Sequence, residues 1–154
     1  MLLLHGGPGA TSDYFTVFDS FLPAQGMEYY YYDQLGSGRS DHPDGDDLWT
    51  TDRFVSEVEQ VRAAIGGNKG NFCVLGQSWG GILAIEYALA HQDQLKCLVI
   101  SGQYDTMDPA HMAAMAKQLP HGELLATKGS HMAMYDDQQA YFTGLLAFLR
   151  KQAN

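Results

Sequence analysis

The chain is short of cysteine and of basic residues, and it has no long apolar run. Nine Lys and Arg against 18 Asp and Glu leave a formal charge of −9 over 154 residues. Such a surface repels polyanions, which excludes nucleic acid and an anionic membrane as natural partners. No run is long enough to span a bilayer, and Met1-Leu2-Leu3-Leu4 is too short for a secretory leader. A cytoplasmic location is the expectation. Two cysteines cannot build a disulfide framework. Cys73 and Cys97 fall in apolar runs and read as buried reduced thiols rather than a disulfide or metal site. The chain lacks a Gly-Lys-Ser/Thr phosphate loop, an internal repeat and low-complexity sequence. No metal and no cofactor are expected.

What is present fits one globular domain spanning 1–154. Hydrophobic residues make up 45% and charged residues 18%, enough to bury a core and too little charge for a disordered chain. Apolar runs alternate with helical periodicities. Leu2-Leu3-Leu4, Glu28 to Tyr32, Phe72 to Leu75, Leu95 to Ser101 and Glu123 to Thr127 read as strands. Between them, Ser12 or Asp13 caps a short helix through Phe21. Thr50 or Thr51 caps another, with Phe54, Val58, Val61 and Ile65 on one face. Gly81 to Ala90 reads as a nearly all-apolar helix. Asp108 and Pro109 open a helix with Met112, Met115 and Leu119 as its buried stripe, ended by Pro120. A last helix runs from about Asp137 to Lys151. Strand–helix alternation requires right-handed crossovers and a parallel sheet covered on both faces. The expected fold is therefore a three-layer α/β/α core with a five-stranded parallel sheet in the order 2-1-3-4-5.

The chemistry centres on Gly76-Gln77-Ser78-Trp79-Gly80, set between a strand and a helix. A serine in that setting is a nucleophile elbow: the turn is too tight for neighbouring side chains and lifts the hydroxyl above the sheet edge. The bland alternative is a glycine-rich turn with an incidental serine. His5-Gly6-Gly7-Pro8-Gly9 follows the first strand, and its glycines let the backbone approach a ligand closely. In a hydrolase reading, the Gly7 and Trp79 N–H groups are the oxyanion donors, and His5, Gly6, Gly76, Gln77 and Gly80 complete the site loops. A serine hydroxyl needs a base, and an imidazole needs its tautomer fixed. His131 follows the fifth strand and Asp105 the fourth, so Ser78, Asp105 and His131 all fall at strand C-terminal ends. Asp108 competes with Asp105 as the acid. His5, His42, His91, His111 and His121 compete with His131, but none follows the last strand. Gly36-Ser37-Gly38 resembles a dinucleotide turn only weakly, because the third glycine and the helix are missing.

Four motifs then point to a family. His5-Gly6-Gly7-Pro8-Gly9, the stretch Tyr32 to Ser40, Gly76 to Gly81 and Gly102-Gln103-Tyr104-Asp105, followed by Ser130-His131, resemble the proline iminopeptidase branch of the α/β-hydrolases. The resemblance implies Ser78, Asp105 and His131 as a catalytic triad, with Gly7 and Trp79 as oxyanion donors.

The departures are equally informative. Members of that family are much longer. They carry two further N-terminal strands, and a helical cap between the strand ending here at Ser101 and the aspartate motif. Here Ser101-Gly102 runs directly into Gln103-Tyr104-Asp105, so the cap is expected to be absent at the 101–103 junction. The pattern fits a minimal hydrolase core, reached by engineering or by natural deletion. In the family, acidic groups of the cap and beside the aspartate hold the substrate's free amine. Gln103 and Thr106 are neutral. The expectation is therefore weak, broad hydrolysis of small activated esters, with a small ester or amide as partner and residual iminopeptidase activity less favoured. Missing outer strands leave a sheet edge open to homodimerisation or domain exchange. A catalytically silent scaffold that binds small ligands, and a flavodoxin-like phosphate or nucleotide binder using the glycine loop, are the other readings.

Overall fold

The computed structural model describes residues 1–101, 109–118, 123–125 and 127–152. The chain divides into two compact units, Met1–Ser101 and Gly102–Asn154. The division falls at the junction where the resemblance places the missing cap.

The first unit is built on a four-stranded parallel sheet. Its strands are β1 (Leu2–Leu4), β2 (Tyr30–Tyr31), β3 (Cys73–Gln77) and β4 (Cys97–Ser101), in the order β2-β1-β3-β4. Leu3 pairs with Tyr31 on one side and Leu75 on the other, and Leu4 pairs with Gly76. That register sets the glycine loop after β1 beside the serine turn after β3.

One helix follows β2 and one follows β3. Helix α1 (Thr51–Ala64) starts where the Thr50 side chain accepts the Arg53 N–H, which settles the choice of cap. Helix α2 (Trp79–Ala90) begins directly after Ser78. Leu2, Leu4 and Val74 point from one sheet face into a core with Phe54, Val58, Leu83, Ala84 and Tyr87. Leu3 and Leu75 point the other way and are also fully buried. A strand apolar on both faces belongs inside a covered parallel sheet. Each buried leucine contributes about 2 kcal/mol relative to exposure.

The segment after the glycine loop is a 3-10 helix, Ser12–Ser20, with Thr11 at its N-cap. Neither Ser12 nor Asp13 caps it. Ser12 instead donates its hydroxyl to Asp33, 21 positions away.

The second unit contains α3 (Pro109–Gln118), a short α4 (Ala133–Asp136) and α5 (Gln138–Gln152). Tyr141, Phe142, Leu145 and Leu149 are the buried stripe of α5, as its periodicity requires. The expected fifth strand is not seen: residues 123–125 and 127 carry no strand structure. Glu123, Leu124 and Leu125 are exposed, unlike the fully buried leucines of β1. The sheet thus has four strands among the described residues. Asp105, Asp108, Leu119, Pro120 and His121 lie outside those residues, as do the side chains of His111, Met112 and Met115.

The cysteine expectation is corrected. Cys73 and Cys97 are register partners on β3 and β4, and they form a disulfide. Their Cα atoms are 4.6 Å apart, within bridging range. Strand pairing, which local sequence does not display, puts the two thiols face to face.

Candidate active site

Ser78 sits at φ 56° and ψ −124°, and is the one non-glycine residue of positive φ among the described residues. An L-residue adopts that conformation only where its surroundings enforce it. Two glycines do so. A Cβ on Gly80 would lie 2.0 Å from the Leu4 carbonyl oxygen and 2.7 Å from that of His5. A Cβ on Gly76 would lie 2.1 Å from the Gly80 oxygen. Helix α2 therefore packs backbone to backbone against the end of β1, and the chain between β3 and α2 must turn at Ser78. Trp79 is the first residue of α2, so its N–H has no acceptor within the helix.

The glycine loop closes over this turn. A Cβ on Gly6 would lie 2.9 Å from the Ser78 Cβ and 2.8 Å from Gln77 Oε1. Gly7 adopts φ +122°, and an added Cβ would meet the Gly9 and Ala10 nitrogens within 2.7 Å. The Gly6 N–H donates to the Tyr14 hydroxyl at 2.6 Å, and that hydroxyl donates to Gln77 Oε1 at 2.9 Å. Tyr14 thus ties the loop to the residue before the serine.

His5 is a structural member of this cluster. The Gln34 backbone N–H donates to His5 Nε2 at 2.9 Å, so that nitrogen must be unprotonated. The proton is on Nδ1, 2.8 Å from the Gly6 carbonyl oxygen. Burial holds the His5 pKa below its ordinary value, against the pull of Gly6 and Asp33. Both ring nitrogens are committed, which removes His5 as a competing base.

Asp33 fastens the next loop. Its carboxylate accepts the Ser12 N–H and hydroxyl at 2.8 Å each and the Arg39 N–H at 2.9 Å. Burial raises its pKa, but these hydrogen bonds and the Arg39 charge outweigh burial and the net shift is downward. A Cβ on Gly38 would lie 2.2 Å from Asp33 Oδ2. The Gly-x-Gly of this stretch is thus a seat for Asp33 and for Trp49, whose ring would be 2.5 Å from a Cβ on Gly36. A nucleotide turn is not needed to explain it.

A cleft of about 340 Å³ reaches Trp79, the residue after Ser78. Pro8, Leu35, Gly36, Trp49, Phe54 and Trp79 line it, and none of its lining residues is charged. Phe54 meets the Trp79 ring edge-on at 5.8 Å and the Trp49 ring at 6.4 Å. The Trp79 indole N–H donates to Gln34 Oε1 at 3.1 Å, while Gln34 Nε2 donates to the His5 carbonyl at 2.9 Å.

His131 belongs to the second unit, at the turn before α4. Ser130 precedes it and is anchored by Asp136, which accepts the Ser130 N–H on both oxygens at 3.1 Å and the Ser130 hydroxyl. Those hydrogen bonds hold the Asp136 carboxyl below the usual range. A Cβ on Gly129 would lie 2.4 Å from Asp136 Oδ1. Asp105 lies outside the described residues. The first unit therefore brings together His5, Gly6, Gly7, Gly76, Gln77, Ser78, Trp79 and Gly80. No group of three or more metal-ligating side chains occurs among the described residues. No described helix is long and apolar enough to cross a membrane. Tyr14 and Trp49 carried no local signal in sequence, since their roles arise from contacts with distant segments.

Comparison with known proteins agrees with this geometry. The family model described as the alpha/beta hydrolase fold matches residues 1–122. A proline iminopeptidase of Flavobacterium johnsoniae is 58% identical over 101 residues, 66% of this chain and 34% of that protein. The chain thus spans about a third of that relative's length. A proline iminopeptidase of Chitinophaga pinensis is 26% identical over 270 aligned positions, covering 100% of this chain and 90% of the relative. With 154 residues laid over that span, long internal stretches of the relative have no counterpart here. The crystal structure of a predicted CIB-like hydrolase from Thermoplasma acidophilum superposes with a TM-score of 0.75 at 18% identity, covering 97% of this chain and 85% of that one. That likeness speaks to the fold. With its serine turn, its glycine loop and a family match over most of its length, the chain belongs to the alpha/beta hydrolase fold family.

Proposed function

We propose that the protein is a serine hydrolase acting through an acyl-enzyme on small activated esters. Ser78 Oγ attacks the ester carbonyl carbon as His131 takes its proton. Asp105 orients the imidazole and stabilises its cation. The Gly7 and Trp79 N–H groups receive the negative oxygen of the tetrahedral adduct. His131 then returns the proton to the leaving alkoxide, and a water molecule repeats the sequence to release the acid. The observation that carries this reading is the enforced positive φ of Ser78, between glycines with no room for a Cβ. Strain of that kind is characteristic of sites that hold a side chain for chemistry.

Esters are favoured over peptides because the cleft that reaches Trp79 has no charged lining residue to hold a free amine. Its relatives' activity supports a second reading: proteins named proline iminopeptidase suggest cleavage after an N-terminal proline.

Labelling with a fluorophosphonate probe, read by intact mass beside a Ser78→Ala control, tests the chemistry. A single adduct lost in the control is the expected result. Folded protein that takes no adduct refutes it. Turnover of 4-nitrophenyl acetate against L-proline 4-nitroanilide then separates the two substrates. Comparable rates on both would favour the second reading.

A further inference from the structure

We infer that the cleft walled by Trp49, Phe54 and Trp79 is the subsite for an uncharged aromatic group carried by the substrate. This rests on the reading of Ser78 as nucleophile, and it names what that serine would act on.

Three observations carry it. The first is size and lining. About 340 Å³ falls within the usual range for small-molecule sites, and the walls are mostly apolar, with Thr50 and Thr51 the polar members, and carry no charge. Such a wall favours a flat apolar group and offers no charged side chain to pair with an ammonium or a carboxylate.

The second is that the aromatic walls are held in place. Trp79 is pinned through its indole N–H by Gln34, whose amide is itself bound to the His5 carbonyl. Trp49 rests on the backbone at Gly36, where a Cβ would lie 2.5 Å from its ring. Phe54 is buried and closes the row between them. Aromatic walls fixed before binding lose little entropy when a ring stacks on them.

The third is position. Trp79 directly follows Ser78, and Pro8 and Gly9 of the glycine loop also line the cleft. A ring in the cleft would therefore touch the residue that follows the proposed nucleophile and the end of the glycine loop. Trp49 lines the cleft and is 44% exposed, so part of its ring remains accessible to a guest.

Trp49 and Trp79 are also the only two tryptophans in the chain. Intrinsic fluorescence therefore reports occupancy of this cleft directly. The probe is 4-nitrobenzyl alcohol, a neutral nitroaromatic that quenches tryptophan on contact, titrated into wild-type protein and into Ser78→Ala. Free tryptophan supplies the inner-filter correction. Saturable quenching in both proteins is expected, with a dissociation constant raised about fivefold in Trp49→Ala, whose remaining tryptophan still reports. Circular dichroism checks that the variant is folded. As a second readout, the ratio of kcat/KM on 4-nitrophenyl phenylacetate to that on 4-nitrophenyl acetate should fall about tenfold in Trp49→Ala.

Purely linear quenching equal to that of free tryptophan would overturn the inference. So would saturable quenching that Trp49→Ala leaves unchanged. If neither ester turns over while saturable quenching persists, the aromatic site stands and the serine hydrolase reading falls. If esters turn over without saturable quenching, the reverse holds.

Discussion

Gln34 holds His5 at both ends: its backbone N–H reaches the imidazole Nε2 and its side-chain amide reaches the His5 carbonyl, each at 2.9 Å. The loop beside Ser78 is therefore locked by a histidine that works only when neutral. Protonation would place an N–H on Nε2, facing the Gln34 N–H.

Acid should loosen this lock. Burial depresses the His5 pKa below its ordinary 6.5, so between the two values the unfolded chain binds more protons than the folded one. The stability His5 contributes is fully present above pH 6.5 and is lost as pH falls through the depressed value. Urea midpoints at pH 7.5 and 5.0, compared between wild type and His5→Gln, measure it. The wild type should lose more stability than the variant on acidification. Equal losses would mean that His5 does not titrate with folding.

Glycine substitutions should separate crowding from backbone conformation. At Gly80 a methyl group would meet the backbone of β1 at 2.0 Å, and neither partner can move without opening the sheet. Gly80→Ala should cost about 4 kcal/mol or leave the protein insoluble. Gly26 has φ +68° but open space around its missing Cβ, so Gly26→Ala should cost only about 1 kcal/mol. Denaturant melts of the two variants check the contrast.

The disulfide gives a third expectation. Cys73 and Cys97 are 24 positions apart, and closing a loop of that length removes about 3 kcal/mol of denatured-state entropy. Reduction should lower stability by that order without changing the fold. A thiol assay on denatured, unreduced protein should find no free thiol. Two thiols per chain would restore the reduced pair that local sequence suggests.

Much of this molecule could be read before folding it. Gly76 and Gly80 announce the serine turn because the steric demand is local and only glycine meets it. Leu2 to Leu4 and Phe72 to Leu75 read as buried strands because they are apolar at every position. What escaped the sequence depends on segments meeting across the fold. Tyr14 finds Gln77 over 63 positions, Asp33 finds Ser12 over 21, and Cys97 faces Cys73 only because β3 and β4 pair in register. Glu123 to Thr127 carries enough apolar residues to suggest a strand, yet Leu124 and Leu125 are exposed. Composition alone could not separate that stretch from β1.

The anchoring of Ser130 by Asp136 leads to a last expectation, about His131 as the proposed base. Asp136 accepts both the N–H and the hydroxyl of Ser130, and Gly129 leaves room for the carboxylate. The loop bearing His131 is thus fastened to α4 one residue before the imidazole. Asp136 is exposed, so its loss should barely change unfolding midpoints. A positioning role instead shows in the reaction. Asp136→Ala should lower kcat by about tenfold with KM little changed, because a displaced base costs rate rather than binding. Asp136→Asn keeps one acceptor oxygen for Ser130 and should recover part of that loss. Unchanged kcat in Asp136→Ala would show that the Ser130 anchor does not position His131. A fall in stability matching the fall in rate would mark Asp136 as a merely structural tie.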